Sequence, residues 1–474
     1  MARMSPTAMS RAAHAPPRAT PPAARRTSAG RAAPARVARA SARASSRIGT
    51  SSSSSGVAST SSRASRVRDG AYAWRGHRVH YERGGCDPSV ATKHVVFLHG
   101  FGVGTFHYER QLADLGALVD AETADDDDGD SDRRSTTCVW ALDFVGQGAS
   151  WPCDDTHEDL RYVNEAGAAP EGFRYSVDTW RDQVTHFLTN VVRPNDGGAY
   201  LAGNSLGGYV AAVVAATETP SSGTARTVSS SFQQTETVAE TNTPRALVKG
   251  LLLLNATPFW AFAPNDASNS LGRFFLPWDG ASPAPDWIRA AFSLYWDAFR
   301  SETNVKGLLR LVYGDKKAVD ACLVRAILTP TRRACALDAF CSVVFSPKSA
   351  LAFDDATRAI RERQIPTALV YGRDDPWVVP LWGQRLKRAI PDAAYYELPG
   401  VGHCPAHEAP EATNACVAAF VSRCEKRVRN SAETLDEELG APSSDAGYAA
   451  ARFLVDGAPR NAFERLAAWR ETRA

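Results

Sequence analysis

The sequence has no uninterrupted apolar run of about 18 residues, the least that a helix needs to cross a bilayer core, so no transmembrane helix is expected. It also has no C-x-x-C pair. Its nine cysteines (86, 138, 153, 322, 335, 341, 404, 416 and 424) are odd in number, which argues against a zinc site or a disulfide framework. They read as small buried residues, and no metal is expected. Aspartate and glutamate are missing from the first 68 residues, where the first acid to follow is Asp69, and lysine is missing there too. That stretch carries 13 arginines among alanine, serine and proline, the composition of an organellar transit peptide. It contains no long apolar segment, which argues against a secretory signal. No aromatic residue precedes Tyr72, so a basic tail that stacks on nucleic-acid bases lacks its rings. The whole chain has 54 basic and 52 acidic residues; without the 13 leader arginines, 41 basic stand against 52 acidic, a net charge of −11. Nucleic-acid binding then loses its electrostatic basis.

The 474 residues suffice for one large α/β domain with an elaboration, or for two domains, and a hydrophobic content of 44% is ordinary for a globular protein. After the leader, Tyr72 to Tyr81 alternates like an opening hairpin. Short apolar runs follow at His94–Leu98, Cys138–Leu142, Ala199–Ala202, Leu247–Leu254 and Thr367–Tyr371. Tyr175 to Val192 carries apolar residues near helical spacing. Short apolar strands alternating with helices predict an α/β fold: a mostly parallel sheet flanked by helices. The core is expected over 69–258 and 365–428. It is interrupted by an acidic loop at 122–135, whose register does not match a calcium loop, and by a Ser/Thr-rich insertion at 217–245. The segment 259–364 is too long for a loop and is read as a helical cap, inserted before the strand that ends in Asp374 and Asp375. Its many aromatic rings form the cap's own core, line a pocket for a large flat or greasy ligand, or do both. The extension 429–474 is weakly patterned, with Tyr448–Val455 and Ala462–Trp469 as its helical stretches.

Gly203-Asn204-Ser205-Leu206-Gly207 lies between the apolar run at Ala199 and an Ala/Val-rich segment. A serine on a strand-to-helix turn is exposed to a ligand, and the first N–H of the helix, at Leu206, can stabilise an oxyanion. A serine hydroxyl needs a base, and the base needs an orienting acid. The sequence supplies both after Ser205, the acid first: Asp375 in Tyr371-Gly-Arg-Asp-Asp-Pro-Trp377, then His403 in Gly402-His-Cys-Pro405. Asp374 is the alternative acid and His407 the competing histidine. Asn255, at the turn after the earlier strand, holds no charge. The backbone N–H of Phe101, in the turn after His94–Leu98, is the second oxyanion donor.

These stretches, with Gly100-Phe-Gly-Val-Gly-Thr-Phe-His-Tyr-Glu109, Val139-Trp-Ala-Leu-Asp-Phe-Val-Gly-Gln-Gly148 and Leu252-Leu-Leu-Asn-Ala-Thr-Pro-Phe-Trp260, resemble the α/β-hydrolase superfamily. More narrowly they resemble the pheophytinases, plastid serine esterases of chlorophyll breakdown, over roughly residues 72 to 425. The resemblance implies a cofactor-independent hydrolysis of the phytyl ester of pheophytin to pheophorbide and phytol, with Ser205 as nucleophile and His403 as base. It implies a chloroplast location, in the stroma or at the thylakoid membrane, and peripheral contacts with that membrane or with other proteins of chlorophyll breakdown. Phe259, Trp260 and Trp377 are expected to line the substrate pocket. A chlorophyll dephytylase, a plastid lipase or acyl esterase, and a non-catalytic tetrapyrrole- or lipid-binding protein stand as alternatives.

Overall fold

Chain segments buried on both faces of a sheet need apolar residues at every position, and the short runs read above behave that way. The computed structural model describes residues 67–123, 136–153, 170–194, 198–217, 247–257, 278–429 and 452–453. Residues 1–66, most of the acidic loop, nearly all of the Ser/Thr-rich insertion, Phe259, Trp260 and most of the C-terminal extension lie outside the described residues.

The strands are β1 (Arg68–Trp74), β2 (His77–Gly85), β3 (Lys93–Leu98), β4 (Thr137–Leu142), β5 (Trp151–Pro152), β6 (Phe173–Arg174), β7 (Ala199–Asn204), β8 (Val248–Leu254), β9 (Ala281–Ser282), β10 (Thr367–Gly372), β11 (Ala394–Leu398) and β12 (Arg452–Phe453). Among the described residues, the main sheet runs β1-β2-β4-β3-β7-β8-β10-β11-β12, with β5 beside β2. The six strands from β4 to β11 are mutually parallel. The opening hairpin β1–β2 and the last strand β12 close the two margins in antiparallel fashion. Every residue of β4, β7, β10 and β11 is buried.

The helices are α1 (Glu109–Thr123), α2 (Val177–Phe187), α3 (Leu206–Thr217), α4 (Asp286–Phe299), α5 (Glu302–Val312), α6 (Ala321–Leu328), α7 (Ala336–Val344), α8 (Phe353–Glu362), α9 (Pro380–Ala389), the single turn α10 (Pro405–Glu408) and α11 (Pro410–Arg429). Alternate strand residues feed two cores. Val95, Phe97, Leu252 and Val370 pack with Leu112 and Leu115 of α1 and Val417 and Phe420 of α11. Val96, Leu98, Leu253 and Leu369 pack with Val184 of α2, Val210 of α3 and Ile360 of α8. The period of two along each strand therefore divides the interior into two layers around one sheet.

The helix expected over 175–192 is shorter. The Ser176 hydroxyl accepts from the Thr179 N–H and starts α2 at Val177, and a wider turn over Leu188–Val192 follows, ended by Arg193 in a left-handed conformation. The helical expectation for Tyr448–Val455 is wrong at its centre. Arg452 and Phe453 instead pair with Glu397 and Tyr396, where the free edge of β11 supplies backbone partners that outweigh a weak helical pattern. Between β8 and β10 the described chain is mostly helical, from α4 to α8, while β9 pairs with β6. Not all of the rings there join the cap's core. Trp287 and Tyr295 of α4 face outward and Phe299 is partly exposed against Phe340, whereas Trp278 is buried and Phe292 and Trp296 are half-buried.

Candidate active site

Parallel neighbours end at one edge of the sheet, so the turns after β3, β7, β8, β10 and β11 gather there. Ser205 occupies the turn between β7 and α3 with φ +53°, a left-handed conformation that costs energy for any residue bearing a Cβ. The two glycines of the motif are there for space. A Cβ on Gly203 would meet the Gly207 carbonyl oxygen at 2.3 Å, and one on Gly207 would meet the Leu98 carbonyl oxygen at 2.2 Å. The Ser205 N–H donates to the Leu254 carbonyl at 3.0 Å. The Asn204 amide donates to the Leu254 carbonyl at 2.9 Å and to the His403 carbonyl at 3.0 Å. The serine turn is thereby bonded to both the β8 end and the turn that holds His403. Leu206 is the first residue of α3, whose opening N–H groups have no acceptor within the helix.

The turn after β3 is held at both ends. The buried His99 ring accepts from the Phe144 N–H through Nε2 at 3.0 Å, which leaves the proton on Nδ1 for the Gly100 carbonyl at 2.6 Å. Burial lowers the pKa of His99, against the pull of Asp143 and the Gly100 carbonyl, and keeps the ring neutral in that tautomer. The Gly102 N–H donates to Gln147 Oε1 at 2.8 Å. Phe101 sits between these two anchors, and a Cβ on Gly100 would lie 3.2 Å from the Ser205 Cβ.

Asp375 follows β10 and is fully buried; its neighbour Asp374 is exposed. One carboxylate oxygen of Asp375 accepts from the Trp377 and Val378 N–H groups at 2.8 and 3.1 Å. The other meets His403 Nδ1 at 2.7 Å and accepts from the Asn255 amide at 2.7 Å. Asn255 accepts in turn from the Gly372 N–H at 2.8 Å. The carboxylate is thus fixed by four donors. Burial by itself lowers the pKa of His403, but the charge and hydrogen bond of Asp375 and the charge of Glu408 outweigh it, so the net shift is upward. Trp377 is 55% exposed, and its ring stands edge-on to the His403 imidazole at 5.7 Å.

Glu408 clamps the His403 turn. Its carboxylate accepts from the N–H groups of Gly402 and Cys404, which flank His403, at 3.0 Å each. It also accepts from Gly314 at 2.7 Å and Asp315 at 3.2 Å, just beyond α5. The His403 N–H itself donates to the Val312 carbonyl at 3.0 Å. His407 is drawn away from Ser205's partners into a group with Tyr313 and His107.

Of the residues picked out in the sequence, Ser205, Leu206, Phe101, Asp375, His403 and Trp377 come to this one edge; Phe259 and Trp260 lie outside the described residues. Sequence reasoning missed the supporting shell: Asn204, Asn255, Gln147, His99 and Glu408. Only Asn255 carried a signal, as the residue standing where an acid was sought.

The residues that bracket this edge, 95–415, match the model of the alpha/beta hydrolase family. The chain belongs to that family. Within it, the chain is similar to pheophytinase, chloroplastic, from Arabidopsis thaliana, with 37% identity over 73% of this chain. The match spans 65% of that protein's length. Among solved structures, the chain is similar to a bacterial membrane phospholipase A, at 18% identity and a TM-score of 0.46, covering 76% of this chain and 87% of that one. A 2-hydroxy-6-oxo-6-phenylhexa-2,4-dienoate hydrolase from Rhodococcus sp. strain RHA1 is similar at 14% identity and a TM-score of 0.45, covering 75% and 99%.

Proposed function

We propose that this chain is a serine carboxylic-ester hydrolase that cleaves the phytyl ester of pheophytin. The observation that carries the chemistry is the fully buried Asp375 carboxylate, bonded to His403 Nδ1 at 2.7 Å, in a turn tied by Asn204 to the strained Ser205. Ser205 Oγ attacks the ester carbonyl while His403 Nε2 takes its proton. The tetrahedral oxyanion accepts from the Leu206 and Phe101 N–H groups. His403 then returns the proton to the departing phytol oxygen, leaving pheophorbide esterified to Ser205. Water, deprotonated by His403, attacks that ester, and the collapse of the second intermediate frees pheophorbide and the serine hydroxyl. Asp375 holds the ring tautomer and offsets the imidazolium charge in both halves. No step calls for a metal or an organic cofactor.

The substrate choice rests on the similarity to pheophytinase and on the aromatic segment 259–364, which we take as the cap over the site. The same similarity and the acid-free leader support a chloroplast location. The test uses purified protein lacking the leader, with pheophytin, chlorophyll and a galactolipid as substrates and phytol or fatty-acid release as the readout. Pheophytin turnover that disappears in Ser205→Ala, with ligand affinity retained, is the expected result. Galactolipid turnover without pheophytin turnover overturns the substrate. Pheophytin binding with no product from the unmutated chain overturns the enzyme reading in favour of a binding protein.

A further inference from the structure

Helix α4 has two apolar faces where a surface helix needs one. Ile288, Phe292 and Trp296 turn inward, and Ile288 is buried. Trp287, Ala290, Ala291, Leu294, Tyr295 and Ala298 form a second stripe, all exposed, with no charged residue in it. Trp287 is 53% exposed, Leu294 78% and Tyr295 72%. On the next helix, α5, Leu308 and Leu311 are exposed as well. Large apolar side chains left exposed along one helix and on the helix that follows it point to a contact site.

Charge says what the contact is. Residues 286–333 hold nine Lys and Arg against five Asp and Glu, net +4, in a chain whose part after Arg68 is net −11. Lys306, Arg310, Lys317, Arg325 and Arg332 form no ion pair among the described residues. A second copy of the chain would bring a like-charged face to this one, which disfavours self-association through it. Exposed Trp and Tyr in a segment that carries uncompensated basic residues suit the headgroup level of an anionic bilayer. The surface is also continuous with the site. Phe299 and Trp296 each lie 5.2 Å from Phe340, and Phe340 lies 6.0 Å from Phe101, beside Ser205.

We propose that the α4–α5 surface seats on an anionic lipid bilayer and that Phe299, Trp296, Phe340 and Phe101 lead a membrane-dissolved ester from that surface to Ser205. The second half rests on the hydrolase reading; the first does not. The experiment is co-sedimentation of the full chain with vesicles of phosphatidylglycerol and phosphatidylcholine, and of phosphatidylcholine alone, at low and high salt. The variants are Leu294→Ser/Tyr295→Ser and Lys306→Glu/Arg310→Glu, every protein carrying the same arginine-rich leader, so that only differences count. Both variants are expected to bind phosphatidylglycerol vesicles at least about tenfold more weakly. They should turn over a soluble short-chain ester at the unmutated rate while losing activity on pheophytin in vesicles. Equal vesicle binding by all three proteins overturns the surface. So does a concentration-dependent dimer in sedimentation velocity that the variants abolish, which would make the occupant a second copy. Weaker binding by the variants with no soluble-ester turnover by any protein upholds the surface and sinks the hydrolase.

Discussion

Asn255 offers the sharpest test of how the acid–base pair is held. Its amide donates to the same Asp375 oxygen that meets His403, and its own oxygen accepts from the Gly372 N–H. Its φ of +41° is left-handed, so glycine can replace it without backbone strain. Asn255→Gly removes a hydrogen bond to a buried carboxylate, which is worth about 1.5–3 kcal/mol. If that bond holds Asp375 in the orientation that the transition state needs, kcat falls by roughly 10- to 150-fold. Asn255→Asp keeps the shape and the Gly372 contact but sets two carboxylate oxygens at the 2.7 Å spacing now occupied by the amide. At an effective dielectric of about 20, two such charges repel by about 6 kcal/mol, or between four and five pK units. The pair therefore retains one proton at neutral pH and gives it up only near pH 8 to 9. The introduced carboxyl group, while protonated, still donates to Asp375, and the net charge beside His403 is unchanged. The expected order at pH 7 is therefore wild type, then Asn255→Asp, then Asn255→Gly. The aspartate variant alone should show a further change in rate as the pH passes about 8 to 9. The assay is kcat on a soluble ester from pH 6 to 10. A glycine variant with the wild-type kcat refutes the bracket. An aspartate variant as impaired as glycine at pH 7 refutes the shared proton.

Two further perturbations probe the charges around the site. Glu408→Gln cannot accept from all four N–H groups; leaving one buried donor unpaired costs about 1–3 kcal/mol and should lower the melting temperature by a few degrees. It also removes one of the charges that raise the pKa of His403, so the acid limb of the activity profile should move to lower pH, a shift that a purely structural role would not produce. His80 is buried between Asp143 and Asp69; burial lowers its pKa, but the bonds and charges of those carboxylates raise it to about 9. Because the folded value lies above the unfolded one, its contribution to stability, roughly 3 kcal/mol, is fully present below about pH 6.5 and is lost as pH rises through about 9. Thermal melts from pH 6 to 10 should fall across that window, and His80→Asn should flatten the fall. An unchanged slope in the variant would show that the cluster does not titrate as described.

The strands were legible in the sequence because burial on both faces demands an unbroken apolar run, and β3, β4, β7, β8 and β10 each have one. The turn residues Ser205, Asp375 and His403 were legible because glycines and strand ends frame them. β12 was not: it pairs at β11 only because that edge offers unpaired backbone groups, and nothing in Arg452-Phe453 itself encodes the partner. The supporting shell was illegible for a related reason. Asn204 bonds to carbonyls at Leu254 and His403, and Glu408 bonds to N–H groups at Gly314 and Asp315. Each of these side chains recognises backbone far away in the sequence, and backbone is the same at every position. A motif search finds the residues that could react, while the residues that orient them address peptide groups.

That difference also explains the surplus rings of α4. Read as a pattern, Trp287, Phe292, Tyr295, Trp296 and Phe299 are one aromatic cluster, and a cluster suggests a core. Resolved on a helix, they divide into an inward stripe, which closes on Phe340 and reaches Phe101, and an outward stripe that stays exposed. An ester with a long isoprenoid tail is scarcely soluble in water, so an enzyme for it gains little from a pocket that opens only to solvent. A helix with one aromatic face toward the serine edge and the other toward a bilayer, in a segment that carries uncompensated lysine and arginine, connects the phase that holds such a substrate to the nucleophile that would cut it. The vesicle and soluble-ester assays separate those two contributions: changes on the outward stripe should alter only access from lipid, and changes at Ser205 should abolish turnover in either phase.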